Sequence, residues 1–256
     1  MSDYLGRQKE KMESLGQLAG GIAHELNNIL QPILFAVDSI QRRVPDDEII
    51  QKSSEKITSC TTKAADMIED ILSFSRQDSD RLKFLSVEET MFHAIEFSKG
   101  LLPSTVKVSV SDKLGSDYWA WINDVDMVRV FTNLLINASD AMEKKGEIQV
   151  ALSYVTVSQS TKETDYAVVG EALPSGRYAC LSVKDHGQGC SPEELKNIFN
   201  PFFTTKDIGE GTGIGLPIVY NIVKNWKGGI QVTSRLGQGA EFLLYIPVYR
   251  TDEGAY

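Results

Sequence analysis

A histidine, a glutamate and an asparagine lie close together in a helical segment near the start of the chain. Glu25 adjoins His24, and Asn28 follows one helical turn later on the same face. A neutral imidazole is a competent nucleophile near neutral pH, a neighbouring carboxylate can take or orient its second proton, and an amide can position water. This grouping indicates nucleophilic chemistry at His24, although an idle surface histidine would show the same spacing.

Two asparagines and an aspartate share one face of a second predicted helix, while apolar residues take the opposite face. Asn133, Asn137 and Asp140 supply amide and carboxylate oxygens, which suit Mg²⁺, a hard cation that keeps several waters and bridges to phosphates. A solvated polar face is the alternative interpretation.

A short motif with two glycines follows a predicted strand. It places Asp185 at the strand end, ahead of Gly187 and Gly189. The glycines allow a tight turn and a close approach of the backbone to a ligand. A buried carboxylate here can accept a hydrogen bond from an exocyclic amine such as that of adenine, whereas a simple β-turn is the plainer interpretation.

A second glycine-rich run opens directly into a helix. It reads Gly-Glu-Gly-Thr-Gly-Ile-Gly-Leu over residues 209–216, and Lys206 precedes it. Exposed backbone N–H groups and the positive end of the helix dipole favour phosphate, although a flexible loop would also be glycine-rich. A Rossmann fingerprint is excluded by the late position of the run, and no GxxxxGK[ST] pattern of a P-loop occurs.

Two stretches near the start of the chain repeat apolar side chains at alternating spacings of three and four, which is typical of the seam of a helical bundle. The first seam comprises Met12, Leu15, Ala19, Ile22, Leu26, Ile29, Ile33, Ala36 and Ile40, and the second comprises Ile50, Ser53, Ile57, Cys60, Ala64, Met67, Ile71 and Phe74. Pro45 and the acidic residues after it predict a turn between two antiparallel helices. Since a lone hairpin leaves each seam half covered, two chains are expected to pair as a four-helix bundle.

The periodicity changes after a polar linker at residues 76–80. Alternating apolar residues predict strands around 106–110, 148–154, 179–183, 230–234 and 241–247. One helix is predicted between the first two of these strands and another around residues 218–226. The second half of the chain is therefore expected to be an α+β domain with helices on one face of a sheet.

The composition limits the classes of function. The formal net charge of −9 argues against nucleic-acid binding, which needs clustered Lys and Arg. Three widely spaced cysteines form no CxxC pair, so a reducing, cytoplasmic setting fits. No apolar run is long enough to span a membrane, so we expect no direct membrane insertion of this chain, although a longer parent protein could be membrane-anchored.

Taken together, the motifs resemble those of sensor histidine kinases. Residues 18–28 resemble the H-box around the phosphoacceptor, 133–138 the N-box, 185–189 the first glycine box, 199–203 the F-box and 211–216 the second glycine box. The resemblance covers residues 10 to 248 in family order. It implies a dimerisation and histidine phosphotransfer hairpin over 1–80, followed by a Bergerat-type ATP-binding sandwich over 81–256.

The resemblance also implies roles for individual residues. His24 would be the phosphoacceptor, Glu25 its base or acid, and Asn28 the residue that positions water for phosphatase activity. The residues implied in ATP binding are Asn133, Asn137, Asp185, Gly187, Gly189, Lys206, Gly211, Gly213, Gly215 and Leu216. Asn137 would hold Mg²⁺, and Asp185 would contact adenine. The implied partners are a second copy of the chain and a response-regulator receiver domain, and the segment 78–83 would be a hinge.

Two positions bear on the alternatives, and the first of them departs from the family pattern. Ala240 stands where the last glycine box usually carries threonine, so a hydroxyl contact is missing there. Asn133 occupies the position at which gyrase-like ATPases carry the glutamate that activates water, which argues against efficient hydrolysis. A GHKL-type ATPase and a degenerate module that binds nucleotide without phosphorylating itself are the alternatives to an ATP-dependent histidine autokinase.

Overall fold

The computed structural model describes residues 28–75, 82–111, 118–158, 173–206 and 211–250. His24, Glu25 and most of the predicted hinge lie outside these ranges. The chain divides into two compact units, Met1–Gln77 and Asp78–Tyr256. Within the described ranges, no helix combines the length and the apolar content that a membrane crossing requires.

The first unit is a helical hairpin. The described part of helix α1 covers residues 28–43, and α2 covers Glu48–Ser75. The predicted turn is confirmed at residues 44–47, where Asp47 Oδ1 accepts hydrogen bonds from the backbone N–H groups of Ile49 and Ile50 at 3.0 and 3.1 Å. Asp47 therefore caps α2, because its side chain satisfies N–H groups that have no partner within the helix.

The predicted seams are not the faces that the two helices bury against each other. In α1 the side chain with the least exposure is Val37, at 5%, whereas Ile29, Ile33 and Ile40 of the seam are 58%, 38% and 47% exposed. In α2, Ile57 of the predicted seam is 46% exposed. A helix in a four-helix bundle faces two neighbours, so its apolar stripe is wider than a single seam. The hairpin covers one side of that stripe and leaves the other exposed.

The described residues of the second unit form two sheets. The strands are β1 (Lys83–Ser86), β2 (Val106–Ser111), β3 (Tyr118–Ile122), β4 (Gly146–Val157), β5 (Gly176–Lys184), β6 (Gly229–Ser234), β7 (Ala240–Pro247) and β8 (Tyr249–Arg250). The larger sheet has the order β2-β4-β5-β7-β6, and only its β2–β4 pair is parallel. The smaller sheet has the order β1-β3-β8 and is antiparallel.

Four helices accompany the sheets in the described part of this unit. They are α3 (Val87–Lys99), α4 (Asp124–Ala141), α5 (Pro192–Leu195) and α6 (Gly215–Asn225). Polar side chains cap the first three, since Ser86, Asn123 and Ser191 each accept a hydrogen bond from a backbone N–H of the first turn. Helix α6 begins after Ile214, and at this N-cap position no side chain of the described residues makes a capping hydrogen bond.

The core lies between the larger sheet and the helices, as the α+β prediction requires. Alternate residues of β4 are buried over 148–152, and Leu181 on β5 lies between Leu152 on β4 and Leu244 on β7. The apolar face of α4, which includes Phe131 and Leu135, is also buried. Because alternate strand residues face opposite sides of a sheet, the strand residues in register with Leu181 share the face that packs against the helices.

Five elements of the described residues were not predicted from the sequence. They are β1, α3, β3, α5 and β8, whereas the helix predicted between the first two predicted strands is confirmed as α4. The signal for α3 was present, because Val87, Met91, Ala94 and Ile95 are buried at helical spacing behind the capping residue Ser86. The smaller sheet was harder to detect, because its strands are short.

Candidate functional site

Helix α4 carries the two candidate asparagines on its less buried side. Asn133, Asn137 and Asp140 are each half-buried, whereas Leu134, Leu135 and Ala138 on the opposite side are buried. The Asn133 side-chain amide donates to the Arg129 carbonyl at 3.0 Å, one turn earlier. The structure therefore places the candidate oxygens on one helical face, as the spacing predicts.

Asp185 follows β5 directly and is 4% exposed. Its Oδ1 accepts hydrogen bonds from the backbone N–H groups of Gly187 and Ala240, at 2.8 and 3.3 Å. Both bonds end on Oδ1, and no donor among the described residues reaches Oδ2. Burial raises the pKa of the Asp185 carboxyl, and the two backbone hydrogen bonds oppose that rise. The second oxygen is therefore available to a donor on a ligand.

Ala240 does not weaken the last glycine box as its missing hydroxyl suggested. The Asp185 backbone N–H donates to the Ala240 carbonyl at 2.9 Å, and the Ala240 N–H donates to Asp185 Oδ1. Both contacts use the backbone of residue 240. The two hydrogen bonds between residue 240 and Asp185 therefore do not depend on the side chain at position 240.

The first glycine box packs tightly against two other segments. A Cβ on Gly187 would overlap the carbonyl of Ala141 at the end of α4, and Gln188 N–H donates to that carbonyl at 3.0 Å. Gly189 has a φ of +65° and lies against the carbonyl of Arg235. These approaches hold the turn after Asp185 beside the end of α4, and they leave no room for side chains.

Two glycines with the same backbone conformation provide a test of this close packing. Gly237 has a φ of +73° and open space around it, whereas Gly189 at +65° lies against backbone. We expect Gly237→Ala to lower the free energy of unfolding by about 1 kcal/mol, through backbone strain alone, and Gly189→Ala by about 2–4 kcal/mol, because overlap adds to strain. Urea unfolding of both variants measures the difference, and equal losses would contradict the packing argument.

The second glycine run adjoins the F-box and α4. Gly213, with a φ of +65°, lies against the backbone of Phe202, whose N–H donates to the Gly213 carbonyl at 2.9 Å. A Cβ on Gly215, the first residue of α6, would stand 2.6 Å from Asn133 Oδ1. Leu216 follows in the same turn and is half-buried. The start of α6 therefore faces the asparagine side of α4.

Lys206 contacts α4 directly. Its Nζ lies 2.5 Å from Asp140 Oδ2, and both side chains are partly exposed. The sequence indicated Lys206 as a cation near phosphate but gave no signal for this ion pair, because the two residues are 66 positions apart.

Helix α4 is thus the point at which the candidate segments of the second unit meet. The first glycine box contacts the end of α4 at Ala141, the start of α6 contacts Asn133, and Lys206 contacts Asp140. Residues 207–210, which include the first two residues of the second glycine run, lie outside the described ranges, and Asn28 is an exposed residue of the first unit. Among the described residues no group of three or more His, Cys, Asp or Glu could enclose a metal ion, so any metal here would take most of its ligands from the bound molecule or water.

Two family models match the chain. Residues 122–250, half of the chain, match the model described as histidine kinase-, DNA gyrase B- and HSP90-like ATPase. Residues 14–80, which include His24, match the His Kinase A phospho-acceptor domain.

Individual relatives share these two regions. The chain is 31% identical to sensor kinase CckA of Brucella abortus, over 94% of the chain and 25% of that protein. It is 28% identical to sensor histidine kinase ZraS of Escherichia coli K12, over 94% of the chain and 47% of that protein. The chain thus spans between a quarter and about half of these relatives.

Among solved structures, full-length ShkA in complex with AMPPNP has a similar fold, with a TM-score of 0.67 and 19% identity. The similarity covers 92% of this chain and 46% of ShkA.

Proposed function

The chain belongs to the family of histidine kinase-, DNA gyrase B- and HSP90-like ATPases and is the catalytic core of a protein-histidine kinase, and we propose that it phosphorylates its own His24 with ATP. The phosphoryl group then passes to an aspartate of a response-regulator receiver domain. The observation that carries the proposal is the convergence of Asp185, both glycine boxes and Lys206 on α4. We assign ATP binding to the domain at 81–256 and the nucleophile to the domain at 1–80.

The proposed ATP site fits the residues that surround it. Asp185 Oδ2 would accept from the exocyclic amine of adenine, since its other oxygen is engaged by Gly187 and Ala240. The N-terminus of α6 carries backbone N–H groups that no side chain of the described residues caps, and such groups bind phosphate. Gly211, Gly213 and Gly215 would bring the backbone close to the phosphates.

We assign Mg²⁺ to Asn137, with Asn133 beside it. An amide oxygen and phosphate oxygens are suitable ligands for an ion that retains several waters. Asn137 is half-buried and lies one turn after Asn133, on the helix that Lys206 contacts through Asp140. When bound, the ion would neutralise charge on the phosphates.

In the proposed reaction, a ring nitrogen of His24 attacks the γ-phosphorus of ATP. The new bond is N–P, the bond between the γ-phosphorus and the β–γ bridging oxygen breaks, and ADP leaves with that oxygen. Glu25 accepts or orients the proton on the second ring nitrogen. Positioning and charge neutralisation account for most catalysis of this kind, because little covalent chemistry is required of the protein.

We further propose that Asn28 positions water for the opposing phosphatase activity, which hydrolyses the phosphorylated aspartate of the receiver domain. Asn28 lies on the exposed surface of α1, one turn after His24 in the sequence. A receiver domain bound over His24 would bring its phosphoaspartate close to this amide.

A gyrase-like ATPase activity is less well supported. The residue one turn before Asn137 is Asn133, an amide that cannot act as a general base. Its Nδ2 is also engaged by the Arg129 carbonyl at 3.0 Å. Activation of water for hydrolysis therefore has no carboxylate at this position.

The exposed apolar side of the hairpin supports a homodimer. We call Ile29, Ile33, Ile40 and Ile57 the outer stripe, because each belongs to a predicted seam and is at least 38% exposed. Burial of such a stripe against a second copy would complete a four-helix bundle.

A charge within the outer stripe is expected to dissociate this dimer. We expect Ile33→Glu to convert the protein from dimer to monomer in sedimentation velocity, because a carboxylate would have to be buried without a partner. Ile49→Glu is the matched control, since Ile49 is 78% exposed and lies outside the stripe. A dimer that persists in Ile33→Glu would contradict this interface.

The proposed activity is tested by incubation of the purified protein with ATP and Mg²⁺. Label from γ-labelled ATP should enter the protein as an acid-labile, alkali-stable adduct, whereas α-labelled ATP should leave none. ATP binding without any transfer of γ-label would refute the autokinase and favour a nucleotide-binding module. Phosphate release without labelling would favour an ATPase.

A further inference from the structure

The ion pair between Lys206 and Asp140 is not required by the proposed chemistry, yet it lies within the proposed ATP site. Lys206 Nζ and Asp140 Oδ2 are 2.5 Å apart, and the two side chains are 29% and 25% exposed. Asp140 lies one helical turn after Asn137, on the same face of α4. A carboxylate is thus next to the residue proposed to face Mg²⁺ and phosphate.

Local contacts restrain the rest of the lysine. Its backbone N–H donates to Thr204 Oγ1 at 3.1 Å, and a Cβ on Gly211 would stand 3.1 Å from its Cδ. The backbone and stem of Lys206 are therefore held by residues on both sides of it. Only the position of the ammonium group depends on α4, where it forms the ion pair with Asp140.

The charges explain why a carboxylate would be tolerated in this place. An unpaired carboxylate close to a triphosphate would repel it. An ammonium group has three donors, so one bond to Asp140 leaves two for phosphate oxygens. A lysine side chain is otherwise flexible, and a partner that holds it in one rotamer lowers the entropy lost when a ligand binds.

We propose that Asp140 is a positioning residue, which holds the Lys206 ammonium over the Asn137 face of α4 so that its free donors meet the terminal phosphates of ATP. This inference rests on the proposed function, because it assumes that ATP occupies this site. Asp140 acts through Lys206 and itself makes no contact with the nucleotide.

The test is a double-mutant cycle of Asp140→Asn and Lys206→Met, with ATP and adenosine affinities measured by calorimetry. We expect Asp140→Asn to weaken ATP binding about fivefold in the wild-type background, since an order of 1 kcal/mol is typical for a lost hydrogen-bonded partner. In the Lys206→Met background the same substitution should leave ATP binding unchanged or strengthen it, because the carboxylate there only repels phosphate. Adenosine affinity should be equal in all four proteins.

A carboxylate on the same helix provides the control. Asp126 lies 3.5 Å from Arg129 in a pair at the other end of α4, about 21 Å away along the helix axis. Asp126→Asn should leave both affinities unchanged.

Three results would overturn the inference. One is an equal loss of ATP affinity on Asp140→Asn in both backgrounds, and another is tighter ATP binding by the single Asp140→Asn variant. The third is a loss that disappears when Mg²⁺ is chelated, since this would make Asp140 a metal ligand. If the folded wild type bound adenosine but showed no preference for ATP, the proposed phosphate site would itself be refuted, which separates that failure from the other three.

Discussion

The His24→Ala variant is expected to take up no label from γ-labelled ATP while it binds ATP with wild-type affinity. The two effects separate because the nucleophile and the nucleotide site are assigned to different compact units, Met1–Gln77 and Asp78–Tyr256. Removal of the imidazole removes the atom that forms the N–P bond, so labelling should fall below detection. Calorimetry with ATP, run beside the labelling assay, verifies that the second unit is intact.

Two substitutions serve as controls for the loss at His24. His93→Ala removes an exposed histidine of α3, and its labelling should equal that of the wild type. Asn28→Ala should retain labelling and lose the dephosphorylation of a phosphorylated receiver domain. Acid-labile label that survives in His24→Ala would assign the phosphoacceptor to another residue.

The Asp185→Asn variant is expected to lose adenine-nucleotide binding by about 10- to 100-fold, since hydrogen bonds to charged groups contribute about 1.5–3 kcal/mol. The reason is geometric. The carbonyl oxygen of the introduced amide would take over the bonds from Gly187 and Ala240, so its NH₂ group would point at the exocyclic amine. Two donors would then face each other. Fluorescent ATP titration measures the loss.

A neighbouring carboxylate provides the control for Asp185→Asn. Glu241 on β7 accepts a hydrogen bond from Ser182 Oγ at 2.8 Å, and Glu241→Gln keeps a carbonyl acceptor there. Its ATP affinity should be that of the wild type. Unchanged ATP binding in Asp185→Asn would exclude the assigned contact with adenine.

The Asp185 carboxyl is expected to make ATP affinity and folding stability depend on pH in opposite directions. Burial raises its pKa above the ordinary value of 3.8, and adenine binding needs the ionised form, so affinity should fall as the pH drops through the raised pKa. The folded state favours the protonated carboxyl. The stabilisation from this group is therefore complete below about pH 3.8, and it is lost as the pH rises through the raised pKa. Asp185→Asn should abolish both dependences.

Local spacing was sufficient to predict most of the periodic elements and the motifs of this chain. The hairpin with its turn at Pro45, the polar face of α4 and the glycine run before α6 depend on contacts within a few residues. Glycines at Gly189 and Gly213 were recognisable because positive φ values strongly favour glycine. These features depend on residues that are close together in the sequence, where helix and strand propensity and hydrophobic periodicity determine the local structure.

Tertiary structure decided which residues meet. The contacts of Asp185 with Ala240 and of Lys206 with Asp140 join positions 55 and 66 residues apart, and both depend on the order of strands and helices around α4. The side of the hairpin that is buried within one chain was also undetermined, because an apolar stripe shows that a face needs a partner without showing which partner covers it. The sequence by itself therefore determined most of the elements and the candidate chemistry, whereas long-range packing decided that Asp140 pairs with Lys206.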